Sequence, residues 1–402
     1  QGDIPPCIFS ASCPHHVAEV CDAETVRLLP VGDRDIACTR VARGDNLPAS
    51  TPPPTIAPEQ SETEVLTVDM LNVNYGRQRL VDTLRGHKTE RVRAVKDVSF
   101  TLKRGETLAL VGESGCGKSS LALALSGLRG HDGVTHLNAL PTRTDSPAWK
   151  AKVQTIFQNP DSSLNPRHKI STILKRPLKL FRPDLPAEDR PGEIARLLER
   201  VRLPAKFADR YPHQLSGGEK QRVAIARALA AKPDVIICDE ITSGLDAAVQ
   251  AAISHLLREI QAETGAALIF ITHDLGILRH LADRVAVMYL GEVVELGGID
   301  ALDTAPWHPY TEALLSSSHS VDPDSQTRRV RLKGTLPKRT EALQGCPFAS
   351  RCPRHLGAVC DTRPPSPLHL TPNHSILCHI PTDDLWSVPP IWQFSDNLET
   401  PQ

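Results

Sequence analysis

The 402-residue sequence is 40% hydrophobic and 23% charged, with 46 basic and 47 acidic side chains and a formal net charge of −1. That balance offers no basic stripe for nucleic acid or for an acidic membrane surface, and no run approaches the roughly 18 uninterrupted apolar residues that a membrane-spanning helix needs. Residues 1–10, QGDIPPCIFS, have neither the basic start nor the apolar core of a signal peptide, so the expectation is a chain outside the bilayer and not secreted, long enough for one large domain with appendages.

In chain order the first feature is a repeat. Cys7, Cys13, Cys21 and Cys38 stand at C-x5-C-x7-C-x16-C, and Cys346, Cys352, Cys360 and Cys378 at C-x5-C-x7-C-x17-C, offset by 339 for the first three pairs. Over the same offset Phe9, Pro14, His16, Val20 and Asp22 match Phe348, Pro353, His355, Val359 and Asp361. A block repeated at long range reads as one unit used twice. Residues 41–63, with the polar and proline-rich run RGDNLPASTPPPTIAPEQSE, read as an extended linker.

From Val65 the pattern becomes that of a packed domain. VLTVDMLNVNY alternates like a strand, VKDVSFTL and ETLALVG predict two more, and SSLALALSGL, EIARLLERVRL and EKQRVAIARALA have helical spacing. VIICDE and ALIFITHD are continuously apolar, as strands of a parallel sheet covered on both faces are. The prediction is a P-loop α/β core with an antiparallel β subdomain before it and a helical insertion over about 160–225. After about Asp300 the chain returns to proline-rich, irregular sequence that ends in the second cysteine set.

Directly after the strand TLALV comes GESGCGKSS, which satisfies G-x-x-x-x-G-K-[ST] and runs into a helix pattern. Glycines let successive backbone N–H groups turn inward on phosphate oxygens, and the helix behind presents its positive end to the same charge. Gly112, Glu113, Ser114, Gly115, Cys116, Gly117, Lys118, Ser119 and Ser120 are therefore candidate phosphate-binding residues, Cys116 through its backbone. Lys118 is expected to bridge the β- and γ-phosphates and Ser119 to ligate Mg2+. VIICDE ends in Asp239 and Glu240, adjacent carboxylates whose burial is costly unless a cation or a reacting group compensates. Asp239 is expected to hold Mg2+, and Glu240 to polarise the water that attacks the γ-phosphate. His273, at the end of the next apolar strand, is a candidate partner of that water or phosphate. LSGGEKQR places Ser216, Gly217, Gly218 and Glu219 at a helix start, an anion site with no basic residue.

In this order the motifs resemble those of the ABC transporter ATPases, over about Val65 to Gly298. The resemblance implies a magnesium-dependent ATPase in which Gln158 of IFQNP ligates Mg2+ and begins the segment that touches a membrane partner. It also implies that Tyr75 stacks on adenine, that Ser243 to Asp246 (SGLD) form the D-loop, and that Ser216 to Gly218 complete the ATP site of a second cassette across a dimer. WHPYTEALL (Trp307 to Leu315), GCPFASRCP (Gly345 to Pro353) and the stretch RLVDTLRGHKTERVRAVKDVSF resemble the oligopeptide and dipeptide importer ATPases. Residues 64–300 would then be the ATPase domain, 301–402 the extension typical of those importers, and 1–40 the tail of a preceding cassette in the same parent chain, although Ile8 replaces proline after the first cysteine. The implied partners are that second cassette, two transmembrane permease subunits and, indirectly, an extracytoplasmic substrate-binding protein. No nucleic acid is expected, and the implied place is the cytoplasmic face of the membrane. An ABC ATPase acting on nucleic acid or ribosomes, and an importer of nickel or another small solute, are the alternatives.

The two cysteine sets are unsuited to disulfides in a cytosolic ATPase, and their recurrence points to a metal. Structural zinc favours pairs at C-x2-4-C, whereas these gaps are wider and the steps Cys13-Pro14, Cys346-Pro347 and Cys352-Pro353 resemble the surroundings of iron-sulfur clusters. One 4Fe-4S cluster per set is the expectation, with zinc as the alternative. Such a cluster would cross-link a tail too poor in apolar residues to fold alone, and ATP binding at the distant phosphate loop is expected to survive its loss.

Overall fold

The computed structural model describes residues 7, 13, 15–23, 29–31, 34–45, 61–76, 92–303, 305–317, 326–332, 334, 337, 344–389 and 391–393. Phe9, Pro14, most of the expected linker and residues 77–91 lie outside them. Two compact units divide the chain, Gln1–Thr55 and Ile56–Gln402.

In the first unit, helix α1 (Ala18–Cys21), the antiparallel hairpin of β1 (Leu29–Val31) and β2 (Arg34–Ile36), and helix α2 (Thr39–Ala42) follow one another. Cys21 is buried at the end of α1, while Cys7, Cys13 and Cys38 are partly exposed. His16 Nε2 meets Asp22 Oδ1 at 3.0 Å, and Arg40 donates to the His15 carbonyl at 2.8 Å.

The second unit begins with an antiparallel sheet. Strands β3 (Glu64–Tyr75) and β4 (Val92–Lys103) pair along their length, and β6 (Asp132–Leu137) and β7 (Leu140–Pro141) complete the order β4-β3-β6-β7. Between them in the chain come β5 (Thr107–Val111) and helix α3 (Lys118–Leu125); helix α4 (Pro147–Lys152) and strand β8 (Val153–Ile156) follow. The helical insertion is α5 (Pro160–Ser163), α6 (Ile170–Phe181), α7 (Arg190–Arg200) and α8 (Gly217–Leu229). Then β9 (Val235–Asp239), α9 (Ala247–Thr264), β10 (Ala267–Ile271), α10 (Leu275–Leu281), β11 (Arg284–Tyr289) and β12 (Glu292–Gly298) close the core. Strands β8, β9, β10, β5 and β11 are parallel neighbours in that order, and β12 adds antiparallel to β11.

The period of two in those apolar strands explains the two cores. Leu108 and Leu110 of β5, Val235 and Ile237 of β9, and Ala267, Ile269 and Ile271 of β10 pack with Val65, Leu71, Phe100 and Trp149 on the antiparallel-sheet side. The alternate residues, Ala109, Val111, Ile236, Cys238, Leu268 and Phe270, pack with the insertion and with α8 and α9. Both faces are dry, so β5 and β10 carry no exposed residue and read as unbroken apolar runs.

The tail is more ordered than its proline content predicts. Helix α11 (Pro309–Ser317) and the short pair β13 (Gln326–Thr327) with β16 (Trp392–Gln393) precede and follow a cysteine region built from α12 (Ala358–Thr362), β14 (Pro367–Thr371), β15 (His374–Leu377) and α13 (Thr382–Trp386). β15 pairs with β12 through Glu295 and Leu296, so the main sheet reads β14-β15-β12-β11-β5-β10-β9-β8. Its element order, helix with the third cysteine, hairpin, fourth cysteine, helix, is the order of the first unit. The expectation of an irregular tail failed because its strands are short and take their partner from β12, far away in sequence, which local periodicity does not reveal.

Three contacts hold the tail down. Buried Glu295 accepts from the His308 backbone N–H at 2.8 Å and meets His374 Nε2 at 2.9 Å. Phe348 is fully buried with its ring 5.1 Å from Tyr289 and 5.4 Å from Tyr310, edge-on or tilted, a geometry in which aromatic pairs add about 0.5–1.5 kcal/mol each beyond area burial. His308 is buried against it and kept neutral, its pKa pushed down to about 3 by desolvation first and by the Arg354 charge second; its Nδ1 accepts from the Tyr310 N–H at 3.0 Å.

Candidate functional site

The loop between β5 and α3 has the geometry its glycines predict. Gly112, Gly115 and Gly117 have φ of +149°, +79° and +120°. At Gly112 a Cβ would stand 2.2 Å from the Met288 carbonyl oxygen, so only glycine passes there. Gly117 caps α3, and Lys118, only 4% exposed, folds its ammonium back on the loop, donating to the carbonyls of Gly112 at 2.7 Å and Glu113 at 3.1 Å. Cys116 is buried beneath the loop, its backbone N–H on the Glu113 carbonyl. Ser114 and Gly115 are exposed at the rim. Glu113 departs from expectation: its N–H donates to the Tyr310 hydroxyl at 2.7 Å, and its carboxylate receives both Nη atoms of Arg351 at 2.9 and 3.1 Å. That amide is engaged with the tail rather than turned to the loop's interior.

β9 delivers the carboxylates. Asp239 has its Oδ1 buried with no hydrogen-bond partner. Burial raises its pKa, the neighbouring Glu240 raises it further, and only Lys118 and Ser119 oppose. A buried carboxylate oxygen without a donor, next to a serine hydroxyl and a phosphate-type loop, is suited to a hard divalent cation such as Mg2+, which takes oxygen ligands. Glu240 follows at φ +48°, in the left-handed region that costs a non-glycine residue about 1–2 kcal/mol. The turn aims its carboxylate across the strand ends: Gln158 Nε2 donates to Glu240 Oε2 at 2.9 Å, and His273 Nδ1 stands 4.0 Å from the same oxygen, its side chain 66% exposed. Ser243 joins them, its hydroxyl 2.8 Å from the Glu240 carbonyl and 3.4 Å from Gln158 Nε2.

Tyr75, at the end of β3, reaches this region through its hydroxyl, 3.2 Å from Ser120 Oγ. One face of its ring carries the Arg129 guanidinium at 3.9 Å, a cation–π contact that holds the ring in place. Ser216 caps α8: its hydroxyl accepts from Glu219 N–H at 3.3 Å and Glu219 returns a bond to Ser216 N–H at 2.7 Å, leaving the exposed helix start pointing outward. Thus Ser119, Gln158, Asp239, Glu240 and His273 form one cluster around the loop of Lys118. Ser216, Gly217, Gly218 and Glu219 form a second on a different helix, joined to the first by no hydrogen bond among the described residues.

None of the ten cysteines is in a disulfide. In the C-terminal set burial pushes Cys346 up to about 12 and Cys352 up to about 11, and for both the neighbouring cysteines of the set push the same way. The first and third cysteines of this set are also joined through the backbone, the Cys346 N–H donating to the Cys360 carbonyl at 2.8 Å. Among the described residues, however, no three His, Cys, Asp or Glu side chains are grouped so as to hold a metal ion. Tyr310 and Arg351, the tail residues that touch the loop, were missed as site residues. Both lie within motifs visible in the sequence, HPYT and FASRCP, but nothing local ties either to a loop about two hundred residues away.

Comparison with known proteins agrees with this geometry. Residues 95–243 match the ABC transporter family model, and residues 294–360 match the C-terminal region of oligopeptide/dipeptide transporters. The dipeptide transport ATP-binding protein DppF of Haemophilus influenzae is 43% identical over 66% of this chain and 82% of its own length. The oligopeptide transport ATP-binding protein OppF of Salmonella typhimurium is 43% identical over 68% of this chain and 84% of its own. A solved dimer of an ATP-binding cassette in a post-hydrolysis state, bound to ADP and phosphate, superposes with a TM-score of 0.50 at 28% identity, covering 58% of this chain and 98% of that one.

The orphaned oxygen of Asp239 has a measurable consequence. Replacing Asp239 with Asn removes a charge that destabilises the empty fold, so the nucleotide-free variant is expected to melt above the native chain, by about 1 kcal/mol in stability. The stabilisation conferred by MgATP is expected to shrink sharply in the same thermal-shift series. A variant that melts lower when empty and responds fully to MgATP contradicts the assignment of a cation to Asp239.

Proposed function

The chain belongs to the ATP-binding subunits of ABC transporters for oligopeptides and dipeptides, and from that premise we propose how its sites share the work of an ATPase that drives peptide import. Gln158, Ser243 and His273 converge on Glu240 beside the Asp239–Ser119 pair, and on that convergence the assignment of roles rests. Residues Gly112 to Ser120 hold the triphosphate, Lys118 releasing the loop carbonyls to reach its β- and γ-oxygens, and Tyr75 stacks on the adenine. Ser119, Asp239 and the amide oxygen of Gln158 hold Mg2+, which when bound supplies positive charge to the phosphate oxygens. Glu240, oriented by the Gln158 amide, accepts hydrogen bonds from the attacking water and takes up its proton, while His273 secures the water or the γ-phosphate from the other side.

Ser216, Gly217, Gly218 and Glu219 act in trans. Their helix start points outward and has no partner within its own ATP site, as a surface completing the site of a second cassette requires; the dimeric relative supports such an arrangement. The remaining partners are two membrane-spanning permease subunits, through which a substrate-binding protein is served, with this chain peripheral at the membrane. None of its own described helices is long and apolar enough to cross one.

The four-cysteine sets are proposed as 4Fe-4S sites. That reading rests on the sequence, on gaps wider than the C-x2-4-C pairs of structural zinc and on the steps Cys13-Pro14, Cys346-Pro347 and Cys352-Pro353. The first unit repeats the tail's cysteines, its His–Asp pair and its element order, which supports reading it as the tail module of a further cassette.

Two experiments address these roles. Glu240→Gln is expected to bind ATP as the native chain does, to lose hydrolysis by about 10²–10⁴-fold, the typical share of a general base, and to accumulate as an ATP-bound dimer in gel filtration. Turnover near the native rate would remove Glu240 from its role. For the metal, protein purified without oxygen is expected to be brown and to contain about four irons per intact cysteine set. A colourless preparation with stoichiometric zinc and no iron would exclude the cluster.

A further inference from the structure

We propose that Arg351 is a positioning residue of the ATP site, through which the four-cysteine tail sets the affinity of the phosphate loop for nucleotide. The inference builds on the ATP-site assignment above and adds a partner that the cassette's own motifs do not contain.

Glu113 is an odd residue to find in a loop that must receive a triphosphate. An uncompensated carboxylate there repels the incoming phosphates, and at the low effective dielectric near a protein surface such a repulsion is worth several kcal/mol at about 4 Å. Arg351 removes that repulsion. Both its Nη atoms donate to the two Glu113 oxygens, at 2.9 and 3.1 Å, a bidentate pair with the arginine side chain only 9% exposed. Charge-assisted forks of this kind are about twice as strong as neutral hydrogen bonds and fix orientation as well as charge.

Glu113 is held from a second direction, since its N–H donates to the Tyr310 hydroxyl at 2.7 Å. Tyr310 in turn stands with its ring 4.7 Å from Tyr289 and 5.4 Å from Phe348. The Glu113 carbonyl, fixed between these two anchors, accepts from Lys118 Nζ and from the Cys116 N–H. A continuous path therefore runs from the cysteine region, where Arg351 precedes Cys352, through Glu113 to the lysine that must reach the phosphates.

The internal repeat separates this role from folding of the cysteine region. His16 and Asp22 of the first unit make the contact that His355 and Asp361 make in the tail. Yet Ser12 and His15 stand where the tail has Arg351 and Arg354. What the two four-cysteine modules share is the His–Asp contact, and the arginine that contacts the ATP loop is present only in the C-terminal copy.

The test is equilibrium binding of a fluorescent ATP analogue with Mg2+ to the full chain, followed by KM and kcat in the assembled transporter. Arg351→Gln is expected to raise Kd and KM by about 10- to 100-fold, the range for losing a hydrogen-bonded charge, with kcat changed less than about twofold. Arg351→Lys, which keeps the cation, is expected to lose far less. The decisive variant is the double substitution Glu113→Gln with Arg351→Gln: deleting the exposed carboxylate is expected to restore most of the affinity, which a merely structural role for Arg351 would not allow. If Arg351→Gln does not accumulate, Arg351→Lys against the double variant carries the same contrast. Native affinity in Arg351→Gln, or a double variant as weak as the single, overturns the proposal. Loss of binding in Lys118→Ala together with native binding in Arg351→Gln would leave the ATP site standing and remove Arg351 from it.

Discussion

A carboxylate oxygen of Asp239 is buried without a hydrogen-bond donor, and the remainder of the domain can be understood as what keeps it there. Left alone, such a group costs a few kcal/mol or takes up a proton. The protein meets this cost with two dry cores: every residue of β5 and β10 is buried, and β9 is wedged between β8 and β10, so the strand cannot shift to hydrate its end. Strain at Glu240 follows from the same constraint. A chain that continued in extended conformation would carry Glu240 away from Gln158 and His273, and the left-handed turn returns it to them.

The tail belongs to this arrangement rather than hanging from it. β15 extends the main sheet through β12, Glu295 binds His308 and His374, and Phe348 packs against both Tyr289 and Tyr310. Since β11 lies beside β5 and ends in Tyr289, the tail packs on the strand adjoining the one that launches the phosphate loop. Distance in sequence says nothing about distance across a sheet, and only β12 and β11 stand between β15 of the cysteine region and β5, although more than two hundred residues separate them in the chain.

Much of the site was legible because its chemistry is local. The order TLALV, GESGCGKSS, SSLALALSGL names strand, loop and helix from composition alone, and VIICDE exposes its purpose by ending an apolar run in two charges. The helix start at Ser216 was equally plain, because a capping box is written in four consecutive residues. What local patterns could not supply were long-range meetings. β8 carries Gln154 and Thr155 among its four residues and so lacks an apolar run, and the strands β14 and β15 are short and flanked by prolines. The face of Tyr75 taken by Arg129 and the grip of Arg351 on Glu113 depend on which elements the sheet order makes neighbours. The four cysteines were visible as a set, while the bond from the Cys346 N–H to the Cys360 carbonyl depends on how the tail folds back.

As the ATPase of a peptide importer, this chain is expected to couple hydrolysis to the arrival of peptide. The measurement is the rate of phosphate release from the chain reassembled with its permease subunits in lipid vesicles, with its substrate-binding protein empty and then loaded with peptide. The expected result is that hydrolysis rises when peptide-loaded binding protein is present. A rate indifferent to peptide, but raised by nucleic acid or ribosomes, would contradict it.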